Sequence, residues 1–148
     1  MEIILLKESI IVGIYTTIIA VFLFYFIQIV NKSSKLLLSI WFFFLLGFLK
    51  HFLGYFLNLQ TEYCNQGHQC KIIHQNQYLN LNLDLKAIPP SILENIGEGI
   101  VFVLMGLLFT NLFKIKNPFL IAFLIGFSLH IVSDIVGLHT YFCKYYCV

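Results

Sequence analysis

The sequence predicts an all-α membrane protein: a bundle of four transmembrane helices, built from two tandem helix hairpins, with a cysteine-bearing outer loop. Three observations predict it. Of 148 residues, 59% are hydrophobic and only 11% are charged, against about 45–50% and about 25% in soluble globular chains. Four stretches match the roughly 20 apolar residues that a helix needs to cross a hydrocarbon core. The chain also resembles itself when slid along its own length. A chain this apolar has too few polar groups to cover the surface of a soluble monomer. The lipid bilayer is therefore the first expected partner, with a second copy or other membrane proteins after it. Nucleic acid is not expected, because the net charge is only +2 and the nine basic residues, all Lys, form no stripe.

The spans follow in order. The first covers residues 9–30 and the second residues 36–57. A cleaved signal peptide does not fit the first, which is too long and is followed by no small-x-small cleavage site. The third covers residues 91–113. It opens on Pro89-Pro90-Ser91-Ile92-Leu93-Glu94, where Ser followed three residues later by Glu has the spacing of a capping box. The fourth covers residues 118–139 and opens on Asn117-Pro118, an N-cap and a first-turn proline. Residues 58–90 form the outer loop. Within it, Asn80-Leu81-Asn82-Leu83-Asp84-Leu85 alternates polar and apolar, the period of a half-buried strand.

Charge sets the expected orientation. The two tight connections hold Lys32, Lys35, Lys114 and Lys116 and no acid. The other side carries Lys7, Lys71, Lys86 and Lys144, diluted by Glu2, Glu8, Glu62 and Asp84 over far more chain. The positive-inside rule places the tight turns in the cytoplasm, and both termini and the outer loop on the lumenal or extracellular side. Asn31-Lys32-Ser33 is the only glycosylation sequon, and this orientation puts it in the cytoplasm.

Self-comparison at an offset of 79 aligns Gly47-Phe48-x-x-His51 with Gly126-Phe127-x-x-His130. Without a gap, it then aligns Leu59-x-Thr61-x-Tyr63-Cys64 with Leu138-x-Thr140-x-Phe142-Cys143. The match implies repeats over residues 1–79 and 80–148, related by an axis along the membrane normal. Gly47, His51, Gly54 and Asn58 share one helical stripe, as do Gly126, His130, Ser133 and Gly137. Small residues on one stripe let membrane helices approach closely. The expectation is that the second and fourth spans pack on each other and bring His51 and His130 together.

Ionisable residues within a span are costly and usually mark a function. At about 1.5 Å per residue, Lys50, His51, Glu98, His130 and Asp134 all fall roughly 7–13 Å below the outer ends of their spans. Glu94 lies one turn nearer the surface. Tyr55, on the second span, completes the polar candidates, and Tyr15, Thr16 and Thr17 occupy the same layer. Glu94 also reads as a simple capping residue, and Lys50 as the partner of Glu98 or Asp134. Asp134, one turn from His130, reads as the group that orients its imidazole. Together Lys50, His51, Tyr55, Glu94, Glu98, His130 and Asp134 form a candidate site. Within it His51, Glu98, His130 and Asp134 are the donors suited to a divalent metal or to proton relay.

Cys64, Cys70, Cys143 and Cys147 all fall on the outer side, which points to disulfides in an oxidising compartment. Pairing within each repeat, Cys64–Cys70 and Cys143–Cys147, suits a duplicated hairpin that carries its own staple. A zinc site is the second reading, because Cys64-x3-His68-x-Cys70-x3-His74 holds ligand types in a non-standard spacing. Thiol redox chemistry is the third, and the lack of Cys-x-x-Cys weighs against it.

The run Gly47-Phe48-Leu49-Lys50-His51-Phe52-Leu53-Gly54-Tyr55, leading to Thr61-Glu62-Tyr63-Cys64, resembles uncharacterised small membrane proteins of large DNA viruses of eukaryotes. The absence of Arg and the abundance of Phe, Ile, Asn and Lys agree with an AT-rich source. This resemblance implies an endoplasmic-reticulum-derived or virion membrane, with the cysteines lumenal. Gly126-Phe127-Ser128-Leu129-His130-x3-Asp134 resembles the Gly-x-x-x-His-x3-Asp helix of membrane-bound metal-dependent hydrolases. That likeness reaches only His130 and Asp134. Two functions stand against each other at this point. One is a polar intramembrane site that binds a metal or performs acid–base work. The other is a disulfide-stapled structural or assembly protein of a viral or organellar membrane. Thiol redox activity, or a haem held by His51 and His130, is a minor variant.

Overall fold

The structure, a computed structural model, describes residues 3–30, 35–77 and 85–148. Among these it holds seven helices: α1 (Ile3–Val30), α2 (Lys35–Phe56), α3 (Leu59–Gln66), α4 (His68–Gln77), α5 (Ile92–Asn111), α6 (Pro118–Ile135) and α7 (Leu138–Tyr145). Four of them, α1, α2, α5 and α6, are long and apolar enough to cross a membrane. The alternating run expected as a strand lies, except for Leu85, outside the described residues, as does the sequon at Asn31.

Local chemistry explains the element ends. The Ser91 hydroxyl accepts from Glu94 N at 3.2 Å and the Glu94 carboxylate accepts from Ser91 N at 2.8 Å. This reciprocal box satisfies two N–H groups that the first turn of α5 would otherwise leave bare. At α6, Asn117 Oδ1 accepts from Phe119 N and Leu120 N, with Pro118 in the first turn. The second and fourth spans stop before the sequence reading expected. Asn58 (φ 58°) and Gly137 (φ 81°) adopt the left-handed conformation, which Asn and Gly tolerate best. Each redirects the chain into a short helix, α3 or α7, that leaves the line of its span.

The spans pair as α1 with α6 and α2 with α5. This corrects the expectation that the second and fourth spans pack together. Their glycine stripes do serve as close-approach surfaces, but each faces the first span of the other half. A Cβ on Gly126 would lie 2.4 Å from Thr16 Oγ1 and 3.1 Å from the Val12 carbonyl oxygen. A Cβ on Gly47 would lie 2.7 Å from the Glu98 carbonyl oxygen and 2.8 Å from Phe102. Gly13 is filled by Phe123 and Gly99 by Phe44. Residues 12, 13 and 16 of α1 thus do what residues 98, 99 and 102 of α5 do, while 44 and 47 of α2 match 123 and 126 of α6.

The apolar core lies between these pairs and is built on Ile19, Ala20, Leu23, Phe42, Phe43, Leu46, Phe102, Ile121, Ala122 and Ile125. A second, smaller cluster of Cys64, Cys70, Leu85, Ala87, Cys143 and Cys147 forms a cap. Its backbone is tied by an antiparallel bridge between Ala87 and Cys147. Lys86 N donates to Val148 O at 2.7 Å, and Val148 N donates to Lys86 O at 3.0 Å. The Asn65 amide exchanges two hydrogen bonds with Leu85.

The cysteines pair across the cap: Cys64 with Cys147, and Cys70 with Cys143, at Cα–Cα distances of 5.5 and 5.0 Å. Within-repeat pairing is therefore corrected. The geometric cause is that α4 packs on α7, so each half's second cysteine meets the other half's first. Closing loops of this length stabilises by about 4 kcal/mol on the chain-entropy model. A cap with so small an apolar core depends on such links.

Candidate functional site

The candidate residues gather into two adjoining clusters at the cap end of the bundle. The first joins α1, α6 and the cap. His130 Nε2 faces Glu8 Oε2 at 3.4 Å, and His139 Nδ1 faces Asp134 Oδ1 at 3.4 Å. The two imidazoles lie ring to ring, with centroids 4.4 Å apart. The order is thus carboxylate, imidazole, imidazole, carboxylate. Glu8 is anchored at its other oxygen, where Oε1 accepts from His68 N at 2.8 Å. The Tyr63 ring stands 5.2 Å from His139 and 5.9 Å from His130. Its hydroxyl is buried and has no hydrogen-bond partner among the described residues.

Burial sets the protonation of the cap members. It pushes His139 down to about 4, helped by the neighbouring His130 and opposed by Asp134. His139 is therefore neutral near pH 7. Burial likewise pushes the Tyr63 phenol far up, and the Glu8 and Asp134 charges push it further. Tyr63 therefore keeps its proton.

The second cluster joins α2 and α5. Lys50 Nζ donates to Glu98 Oε1 at 2.7 Å, and Tyr15 OH donates to the Lys50 carbonyl at 3.1 Å. His51 lies within electrostatic reach of Glu98, Lys50 and Glu94, and its carbonyl accepts from Gln60 Nε2 at 3.3 Å. Glu94, besides capping α5, accepts from the Tyr146 hydroxyl of the cap. The clusters feel each other, because both Lys50 and Glu98 act on His139 across the gap. Tyr55 is half-buried on α2 and its ring packs edge-on to Phe56.

His51, Glu98, His130 and Asp134 are therefore divided between the clusters. Among the described residues, Cys70, Cys143 and Cys147 are the only set of three or more His, Cys, Asp or Glu donors gathered within 4.8 Å, and these sulfurs are already paired in disulfides. Asp134 was expected to orient His130, but Glu8 faces His130 and Asp134 faces His139.

Sequence reasoning missed Glu8, Tyr63 and His139. Glu8 had been counted only as a charge flanking the first span. A signal for it exists: Glu8-x-Ile10-x-x-Gly13-Ile14 has the same pattern as Glu94-x-Ile96-x-x-Gly99-Ile100. The offset is 86, so comparison at 79 alone passes over it. No family model, curated protein or solved structure matches this chain.

Proposed function

We propose that the chain is a multi-pass integral membrane protein made of two tandem hairpins, and that its Glu8–His130–His139–Asp134 row is an acid–base site that accepts and passes protons at the cap end of the bundle. One observation carries this reading: two imidazoles in ring contact, each facing a carboxylate from a different element. Asp134 opposes the burial penalty on an added proton, and His139, neutral near pH 7, takes one up as pH falls toward 4. The contact between the rings, with centroids 4.4 Å apart, sets a proton taken up at His139 directly beside His130. Donor geometry favours this over metal binding, because the imidazoles and carboxylates do not converge on one point.

The shared glycine contacts and the matching left-handed residues support the tandem arrangement. Four apolar helices support membrane insertion, and cross-linked cysteines support a cap in an oxidising lumen or exterior. Resistance to alkaline carbonate extraction tests insertion. An unmodified Asn31 in glycosylating microsomes, with a sequon added in the cap becoming modified, tests orientation.

The acid–base reading is tested by NMR of protein labelled with 15N-histidine in lipid nanodiscs, titrated from pH 4 to 8. His139 should protonate only as pH falls toward 4, and Asp134→Asn should push it lower still. Titration of His139 near 6.5, untouched by Asp134→Asn, would overturn the reading. The disulfide-stapled cap and the Lys50–Glu98 bridge favour the second reading, a structural or assembly protein of a viral or organellar membrane. In that case His130→Ala and His139→Ala lower stability and do nothing else.

A further inference from the structure

The end of the bundle opposite the cap holds a cavity of about 780 Å³, within the roughly 300–1,000 Å³ of sites that take small molecules. All four spans contribute to its wall: Phe24 and Ile27 line it with the buried Phe42, Phe43 and Ile121 behind, and beside Ser39 and Thr110 its lining is mostly apolar. Its rim is not. Lys114 and Lys116 of the α5–α6 connection line the mouth. The sequence puts two further lysines in the other tight connection and no acidic residue in either. An apolar slot between spans that ends in unopposed ammonium groups matches a molecule with a hydrocarbon tail and an anionic head at the same depth.

We propose that this crevice binds one anionic phospholipid, its acyl chain along the half-buried Phe24, Ile27 and Ile115 and its phosphate against Lys114 and Lys116. Basic pockets between spans on the cytoplasmic side bind acidic headgroups in this way. Both lysines are exposed, so their attraction for a phosphate is that of basic groups at a membrane surface. A zwitterionic lipid offers the same tail but places its own cation beside the lysines, so the rim discriminates by headgroup charge. The inference rests on membrane insertion, and not on the acid–base reading of the cap end.

The test is native mass spectrometry of the full chain released from nanodiscs. These contain equal parts of phosphatidylglycerol and phosphatidylcholine with identical acyl chains. One phosphatidylglycerol per chain should be retained, at an excess of about tenfold over phosphatidylcholine. Lys114→Gln with Lys116→Gln should erase that excess, whereas Lys144→Gln at the cap end should leave it intact. Ile121→Trp, which fills the slot, should abolish retention of either lipid. Soluble glycerol phosphate, which has the head but no tail, should not compete. Equal retention of both lipids, or an excess that survives the double substitution, would overturn the proposal. Should Ile121→Trp fail to fold, the lysine pair decides alone. Failure to enter nanodiscs at all would instead sink the membrane reading.

Discussion

His130 of α6 and His139 of α7 sit ring against ring at 4.4 Å, brought together by the left-handed turn at Gly137 between their helices. Glu8, Asp134 and Tyr63 surround the pair. Folding thus places two imidazoles where only a limited positive charge is tolerated.

Acid should therefore weaken the fold. His139 holds its proton less tightly folded (about 4) than unfolded (6.5). Between those values the unfolded chain binds more protons, so stability is full above about pH 6.5 and falls as pH drops toward 4. The expected loss between pH 7 and 5 is on the order of 1–2 kcal/mol, discounted for the partial exposure of His139. Thermal melts in detergent micelles measure it, and His139→Gln should flatten the slope in that window. An unchanged slope in His139→Gln would assign the acid sensitivity to other groups.

Lys50 and Glu98 should behave as a pair. Removing one partner strands a charge in an apolar span, at a cost of about 2–3 kcal/mol, whereas Lys50→Met with Glu98→Leu should recover most of that loss. A double-mutant cycle on melting temperature gives the coupling directly. Additive losses would mean that the bridge is not formed.

Glycine substitutions should sort by contact. Gly126→Ala and Gly47→Ala drive a methyl group into Thr16 and the Glu98 carbonyl, respectively, and should each cost about 1–3 kcal/mol. Gly97→Ala, with nothing within 4 Å of its added Cβ, should be neutral or slightly stabilising. Similar losses at Gly47 and Gly126, whose neighbours occupy matching positions on α5 and α1, would also fit the proposed tandem relationship. Tolerance at both would mean that the span pairs are looser than their contacts imply.

Proteolysis without reductant should leave fragments bearing Cys64 or Cys70 attached to those bearing Cys143 or Cys147. Removing one bond as a pair, Cys70→Ser with Cys143→Ser, should cost about 2–4 kcal/mol. Recovery of a Cys64–Cys70 peptide by mass mapping would reverse the assignment.

The four spans were legible because length and hydropathy alone mark them, and the caps at Ser91 and Asn117 because their chemistry is local. Span ends were less so. The second span ended within one residue of its expected end, but the fourth stops at Ile135, because the apolar residues Val136 and Leu138 flank a left-handed Gly137 that ends the helix. The partners of each span were illegible for a different reason. A small-residue stripe says that something approaches closely but not which helix, so α2 against α5 and α6 against α1 had to come from the assembled fold. The cap pairing failed likewise, because it depends on α4 crossing to α7. In the site, Lys50 and Glu98 stood out as charges inside spans. Glu8 did not, lying so near the first span's expected boundary that it read as a flank, although α1 begins at Ile3 and holds it within the helix.

The nested disulfides also have a mechanical consequence. The segment from Cys70 to Cys143 is closed within the segment from Cys64 to Cys147, and both rings contain α5 and α6. A load applied between the two ends of the chain would pass through the bond between Cys64 and Cys147 and leave everything between them slack. Only the stretch ahead of Cys64, with α1 and α2, would lengthen. Under oxidising conditions the protein would therefore yield as half of its bundle, and reductant would release the other half.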